Sequence, residues 1–259
     1  MHPELNALCA RLESAQASQN LACARAGGGE TLSLRSALGV FLGEGHMLNQ
    51  GLALGLGGPL PAADLDLLEA FLGRGGAPVV LELSPGADPE LPALLAARGY
   101  RIRQFQQVWV RELEELPQGS GPDIRPILTG EEELVARLTM AGFLDSDDLA
   151  AQDPGPALAM AGAEGSTVFL ARVEGSPAAA GSVGIHGDVA ALSGTSVLPR
   201  FRGRGLQRGL VLARLAFARQ QGCVLACSAT LPGSASQANL ARCGFRVAYP
   251  KLELVREGR

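Results

Sequence analysis

Lysine is nearly absent from this 259-residue chain, where Lys251 stands alone against 21 arginines. Arginine in place of lysine, with abundant Ala, Gly and Leu, fits GC-rich coding and by itself implies no chemistry. The formal charge is only −4, so nothing global points to nucleic acid or to an anionic membrane. Aromatic residues make up 4%, too few to interleave with basic residues as a single-strand groove requires. No apolar run approaches the roughly 18 residues of a membrane span, and the first residues lack the basic region and apolar core of a secretory signal. Five cysteines, an odd number without regular spacing, make no disulfide framework. Cys223 and Cys227 lie close together but have no second Cys/His pair, so no zinc site is expected and buried reduced thiols are. These absences predict a cytoplasmic protein without metal, membrane or nucleic-acid partner.

What is present is an alternation of strand and helix patterns. Helices are expected over 4–25, 62–73, 89–98, 206–221 and 234–243, with a further helical region after the Thr129/Glu132 capping-box spacing. Strands are expected over 31–42 (one or two), 51–56, 78–85, 100–113, 123–127, 223–229 and 245–255. Residues 168–173, 178–186 and 190–198, joined by Gly-containing turns, predict an antiparallel meander. The stretch 117–122, Pro-Gln-Gly-Ser-Gly-Pro, is the best linker in the chain. It divides the sequence into 1–116 and 123–259.

Between the last meander strand and the helix at 206 lies Arg200-Phe-Arg-Gly-Arg-Gly205. Two glycines permit close backbone approach, and a turn opening a helix leaves N–H groups pointing outward. Arg202, Arg204 and Arg208 crowd that helix N-terminus, where each positive charge costs up to ~1 kcal/mol. A repeated cost at one place suggests a bound anion, and a phosphate suits the site. The alternative reading is solvated arginines on an ordinary turn. The spacing is neither Gly-x-Gly-x-x-Gly nor a P-loop.

The chain also matches itself at an offset of 145 residues. Leu95-Ala-Ala-Arg-Gly-Tyr-Arg101 falls on Leu240-Ala-Arg-Cys-Gly-Phe-Arg246, Val110-Arg-Glu112 on Val255-Arg-Glu257, and Val79 on Val224. One register for all three argues for a duplication. In the first copy, Gly55-Leu-Gly-Gly-Pro replaces the arginine-glycine turn and Asp64 follows it. The fold is therefore expected to be kept there and the anion site lost.

Val197-x-Pro-Arg-x-x-Gly203-x-Gly205 resembles the pyrophosphate signature of the GNAT acyltransferases, and Ser236-x-x-Asn239 before Cys-Gly-Phe245 resembles a later motif of that superfamily. The resemblance implies an α/β (α+β) chain of two tandem GNAT-like domains, each a mixed twisted sheet flanked by helices. Residues 1–116 would be degenerate and 123–259 would bind acetyl-CoA. It further implies that the backbone at Ser196, Val197 and Leu198 pairs with pantetheine. Arg200 and the N–H groups of Arg202, Gly203, Arg204, Gly205, Leu206 and Gln207 would receive the pyrophosphate, with Ser236 and Asn239 near the pantetheine arm. The function expected is N-acetyl transfer from acetyl-CoA to a small-molecule amine. The alternatives are a CoA-binding regulatory or scaffold module and, weakest, a nucleic-acid binder. Many members carry a tyrosine where this chain has Leu240, so no catalytic acid is assigned. Nor is a base: His46, His186, Ser193, Thr195 and Glu82 are candidates without a role.

Overall fold

The structure, a computed structural model, describes residues 3–114 and 123–258. The expected linker lies outside the described residues. The first half runs α1 (Pro3–Ala26), β1 (Glu30–Leu34), β2 (Ala37–Phe41), β3 (Gln50–Leu52), α2 (Ala62–Leu72), β4 (Val79–Leu83), α3 (Leu91–Ala97) and β5 (Arg101–Glu112). The second runs β6 (Asp123–Pro126), α4 (Glu132–Phe143), α5 (Gly155–Ala161), β7 (Ser166–Val173), β8 (Ser176–His186), β9 (Val189–Val197), α6 (Leu206–Gln220), β10 (Leu225–Thr230), α7 (Ala235–Arg242) and β11 (Arg246–Arg256). The capping box expected at Thr129 does not form. Glu131 occupies the N-cap position of α4 without a side-chain cap, and its carboxylate is instead clamped by Arg125 and Arg172.

All eleven strands form one sheet, in the order β1-β2-β3-β4-β11-β5-β10-β9-β8-β7-β6. The two halves thus exchange their last strands. β11, from the second half, pairs with β4 of the first, while β5 of the first pairs with β10 of the second. Where β5 and β11 meet, Arg101 faces Val255 and Val110 faces Arg246. At the offset of 145 residues Arg101 corresponds to Arg246 and Val110 to Val255, so each pair maps onto the other and the sequence repeat is a pseudo-twofold axis between these strands. The first half has no counterpart of β6 and α4 among the described residues.

One face of the sheet carries α2, α3, α6 and α7. On it α6 buries Leu206, Leu210, Val211 and Leu215 against Trp109, Phe169, Ala190, Leu192 and Ala226. Each such large apolar side chain contributes roughly 1.5–3 kcal/mol. The opposite face carries α4, α5 and α1. Helix α1 lies over the centre of the joined sheet, where Cys9, Leu12 and Ala15 pack on Val108, Val110, Val189, Ala191, Leu225 and Cys227. Further along, Ala17 and Ala24 pack on Val40 and Leu52 of the first half. One helix therefore crosses both halves and brings first-half side chains to second-half strands. All five cysteines are buried and unpaired. No helix among the described residues is long and apolar enough to cross a membrane.

Candidate active site

Strands β9 and β10 run parallel only where Val189–Ala191 face Leu225–Cys227. Beyond that point they part. The cause lies in β9, whose register against β8 slips between Ala180 and Ser182, placing one extra residue on β9. Such a bulge bends its strand away from a neighbour. Gly194 carries it with φ of +60°, a left-handed conformation that favours glycine.

Arg214 of α6 holds the bulge from below. It is fully buried and donates to the carbonyls of Leu210, Ser182 and Ser193 and to Thr195 Oγ1, at 2.8–3.2 Å. No carboxylate pairs with it among the described residues. Burial pushes the guanidinium down to about 9, which leaves it charged at neutral pH. Replacing Arg214 by Met should cost about 2–4 kcal/mol, because the Ser182 and Ser193 carbonyls lose a buried donor. Guanidinium chloride melts test this. Unchanged stability would show that the bulge stands without its prop.

The chain then turns through a 3-10 turn at Pro199–Phe201 into α6. Gly203 and Gly205 have φ of +76° and +75°, and nothing lies within 4 Å of a Cβ added at either. The loop is open, and its backbone conformation excludes ordinary side chains. The Leu198 N–H is bonded to Ala178 O at 3.0 Å, so antiparallel alternation turns the backbone groups of Val197 towards the cleft. The Ser196 side chain points elsewhere, donating to carbonyls of α4 at 3.2 and 3.4 Å. Arg200 bonds Asp147, its backbone N–H reaching the carboxylate and its guanidinium the carbonyl. Arg202 pairs with Asp145 and also reaches the carbonyls of Gly142 and Val197. Arg204 and Arg208 have no carboxylate partner among the described residues, Arg204 resting only near the Phe201 ring. Asn239 donates to Gln207 at the start of α6 and accepts from Arg242.

Where β9 and β10 part, a cavity of about 470 Å³ opens. Ser193–Thr195 and Ser228–Thr230 form its sheet wall, Ser234 and Ser236 one end, and Gln16, Gln19 and Asn20 of α1 the opposite wall. Glu82 of β4 also lines it. That carboxylate belongs to a buried cluster. Lys251 Nζ, 1% exposed, lies 2.7 Å from Glu82 Oε2 and 3.5 Å from Glu13 Oε1 and donates to Gln16. Tyr249 OH donates to Glu13 at 2.9 Å. Burial raises the Glu13 carboxyl above its usual range, although Lys251 opposes it. For Lys251 burial acts to lower, but Glu82 and Glu13 outweigh it and keep the ammonium charged.

Of the other candidates, His186 bonds Gln19 at 3.1 Å and is lowered by burial. His46 accepts from Leu48 N within its own turn. Leu240 is buried in the α6 core rather than facing the cavity. Sequence reasoning missed Arg214 and the Glu13–Lys251 pair. A single lysine in the chain was the one available signal.

A larger cavity, about 800 Å³, lies in the first half, between Gly55–Pro59 and the β4–α3 turn. Leu56, Leu83, Pro85, Phe105 and Leu252 line it, and among the described residues of its lining only Asp88 carries a charge. It lies where the duplication puts the equivalent of the arginine-glycine loop, and the described residues of its lining offer no cation to a phosphate.

Known proteins resemble this chain in sequence profile and in fold. Residues 133–245 match the profile of the acetyltransferase (GNAT) family. A GCN5-related N-acetyltransferase from Kribbella flavida superposes with a TM-score of 0.66 at 21% identity, covering 97% of this chain and 96% of that one. A second, from Sphaerobacter thermophilus, gives 0.59 at 14% identity, covering 88% and 76%. A tandem GNAT protein from the clavulanic acid biosynthesis pathway gives 0.55 at 18% identity, covering 78% and 70%. No match is found among curated proteins. Residues 133–245 thus carry the sequence profile of the GNAT acetyltransferases, and the chain as a whole shares its fold with the GCN5-related N-acetyltransferase from Kribbella flavida.

Proposed function

We propose that this protein transfers an acetyl group from acetyl-CoA to the amine of a small molecule. In this reading residues 123–259 hold the donor and residues 1–116 are a degenerate GNAT-like half that lost the pyrophosphate loop. The observation that carries it is the pairing of an open, cation-rich loop at Arg200–Gln207 with a cavity at the parting of β9 and β10.

The residues fit acetyl-CoA. Gly203 and Gly205 leave the loop N–H groups uncovered, and the unpaired Arg204 and Arg208 offset the charge of a pyrophosphate. Arg200 and Arg202 can exchange their contacts with Asp147 and Asp145 for phosphate oxygens. The cleft-facing backbone of Val197, beside Ser196 and Leu198, offers a strand edge to pantetheine. Leu206 and Gln207 begin the helix whose positive end faces the anion. Asn239, tied to Gln207, and Ser236, on the cavity wall, border the pantetheine path.

The chemistry is attack of a neutral amine on the thioester carbonyl. The backbone N–H of Val197 is placed to stabilise the oxyanion, and the buried charge of Arg214 beneath β9 adds positive potential to that strand. A CoA thiolate, with a pKa near ~8.5, leaves without a dedicated acid, so the missing tyrosine at Leu240 is compatible with turnover. That same absence favours the second reading, a CoA-binding module without catalysis. Thiol release from acetyl-CoA across a panel of alkyl and aryl amines separates the two. Release with at least one amine supports transfer, and calorimetric binding without release supports the module. A salt-sensitive shift of DNA would support neither.

A further inference from the structure

Among the described residues lining the 470 Å³ cavity, Glu82 alone carries a charge. The other polar groups there are neutral amides and hydroxyls, Gln16 and Ser193 among them. Behind Glu82, two carboxylates surround one ammonium, since Glu13 and Glu82 share Lys251. Glu253, directly opposite Glu82 across the β4–β11 pair, is matched by Arg103 and accepts from Gln106, and the remaining groups facing the cluster, Tyr249, Cys9, Cys227 and Gln16, add no positive charge. Cys227 and Tyr249 are both raised by burial and stay neutral. The cluster therefore holds one carboxyl group more than it has cations, and Glu82 is the one that meets the cavity.

We propose that the acceptor enters as an ammonium ion bound by Glu82, and that Glu82, supplied by the first half, takes its proton. This rests on the acyl-transfer reading above. One N–H bond of the ammonium breaks and its proton passes to the Glu82 carboxylate. The freed lone pair attacks the thioester carbonyl, forming a C–N bond and an oxyanion. Collapse of the oxyanion breaks the C–S bond and expels the thiolate. The nitrogen's second proton then leaves to the thiolate or to water, giving amide and thiol. The proton on Glu82 returns to solvent before the next turnover. Glu13 and Lys251 are positioning residues that fix Glu82 and its charge.

Glu82→Gln is a suitable probe because it leaves Glu13 and Lys251 as a matched buried pair, and Glu82→Asp retains the acid. The acceptors are phenethylamine, an ammonium ion at neutral pH, and aniline, which is neutral there. Glu82→Gln should lower kcat/KM for phenethylamine by about 10²–10⁴-fold at pH 7, with aniline affected less than about tenfold. Acetyl-CoA affinity should not change, and Glu82→Asp should recover part of the loss. The phenethylamine rate of Glu82→Gln should also climb steadily with pH, following the free amine. Equal losses for both amines, or a rise in KM at constant kcat, would overturn the assignment of the base. Phenethylamine binding measured by calorimetry without acetyl-CoA tests the ammonium site without turnover. Binding weakened at least tenfold by Glu82→Gln supports that site, and unaltered binding refutes it. Failure of the wild type to release thiol with any amine of the panel would instead reject the acyl-transfer reading itself.

Discussion

Arg200→Ala combined with Gly203→Glu is expected to abolish acetyl-CoA binding while leaving the sheet intact. Gly203 sits at φ of +76°, a conformation that costs a side chain roughly 1–2 kcal/mol. A glutamate forced into it either strains the loop or moves it, and in both cases carries negative charge into the N-terminal field of α6. The Arg200 guanidinium is lost at the same time. Two charge-assisted contacts at roughly 1.5–3 kcal/mol each, together with new repulsion, amount to at least a thousandfold in affinity, since about 1.4 kcal/mol is tenfold. The fold should persist because both positions are exposed and outside the core clusters. Isothermal titration with circular dichroism checks this. Unchanged affinity in a folded variant would remove the donor site from this loop. A companion expectation is that crystals grown with excess acetyl-CoA show none of it at Gly55–Pro59, where the described residues lining the cavity include no cation.

The largest stability effect is expected at the chain's only lysine. Lys251→Met leaves Glu13 and Glu82 buried without their ammonium, and loss of one partner of a buried ion group costs about 3–5 kcal/mol. That is a large fraction of the roughly 5–15 kcal/mol of a typical domain. The deficit should depend on pH with a definite sign. Glu13 is already raised by burial, and Lys251 is the group that lowers it. Without Lys251 its folded pKa rises further above the unfolded value. A carboxyl raised in this way is tolerated at acid pH, where both states are protonated, and destabilises increasingly as pH rises through the folded value. The variant should therefore approach wild-type stability near pH 4–5 and fall behind it at pH 8. In the wild type the Lys251 ammonium itself is held by Glu82 and Glu13 and is lost only in strong alkali, so the acid end of the difference is set by protonation of the carboxyls. Denaturant melts of both proteins at the two pH values decide the matter. An equal difference at both would mean that the cost is packing, not charge.

Features encoded within a few residues can be read from the chain alone. The meander β7–β9, the helix at 206–220 and the turn between them follow from alternation, from three- and four-residue spacing and from glycine. The same local grammar located Arg200–Gln207. The duplication was also legible, because seven-residue matches such as Leu95–Arg101 on Leu240–Arg246 need no structure to be seen. Strand pairing, by contrast, is visible only in the assembled sheet. Nothing local distinguishes β11 next to β4 from β11 within its own half, since both arrangements bury the same alternating residues. The exchange follows from the pairing of β5 with β11, whose cost is loop closure rather than local preference. The polar cluster escaped for the same reason. Glu82 and Lys251 meet across 169 residues, and Tyr249 and Glu13 across 236. On its own helix Glu13 reads as a solvated charge. Arg214 likewise reads as the polar face of an amphipathic helix, and it is buried only because the bulge at Gly194 turns two carbonyls towards it. A charge enters a protein interior when partners from distant segments converge on it, and convergence of that kind is a property of the assembled sheet.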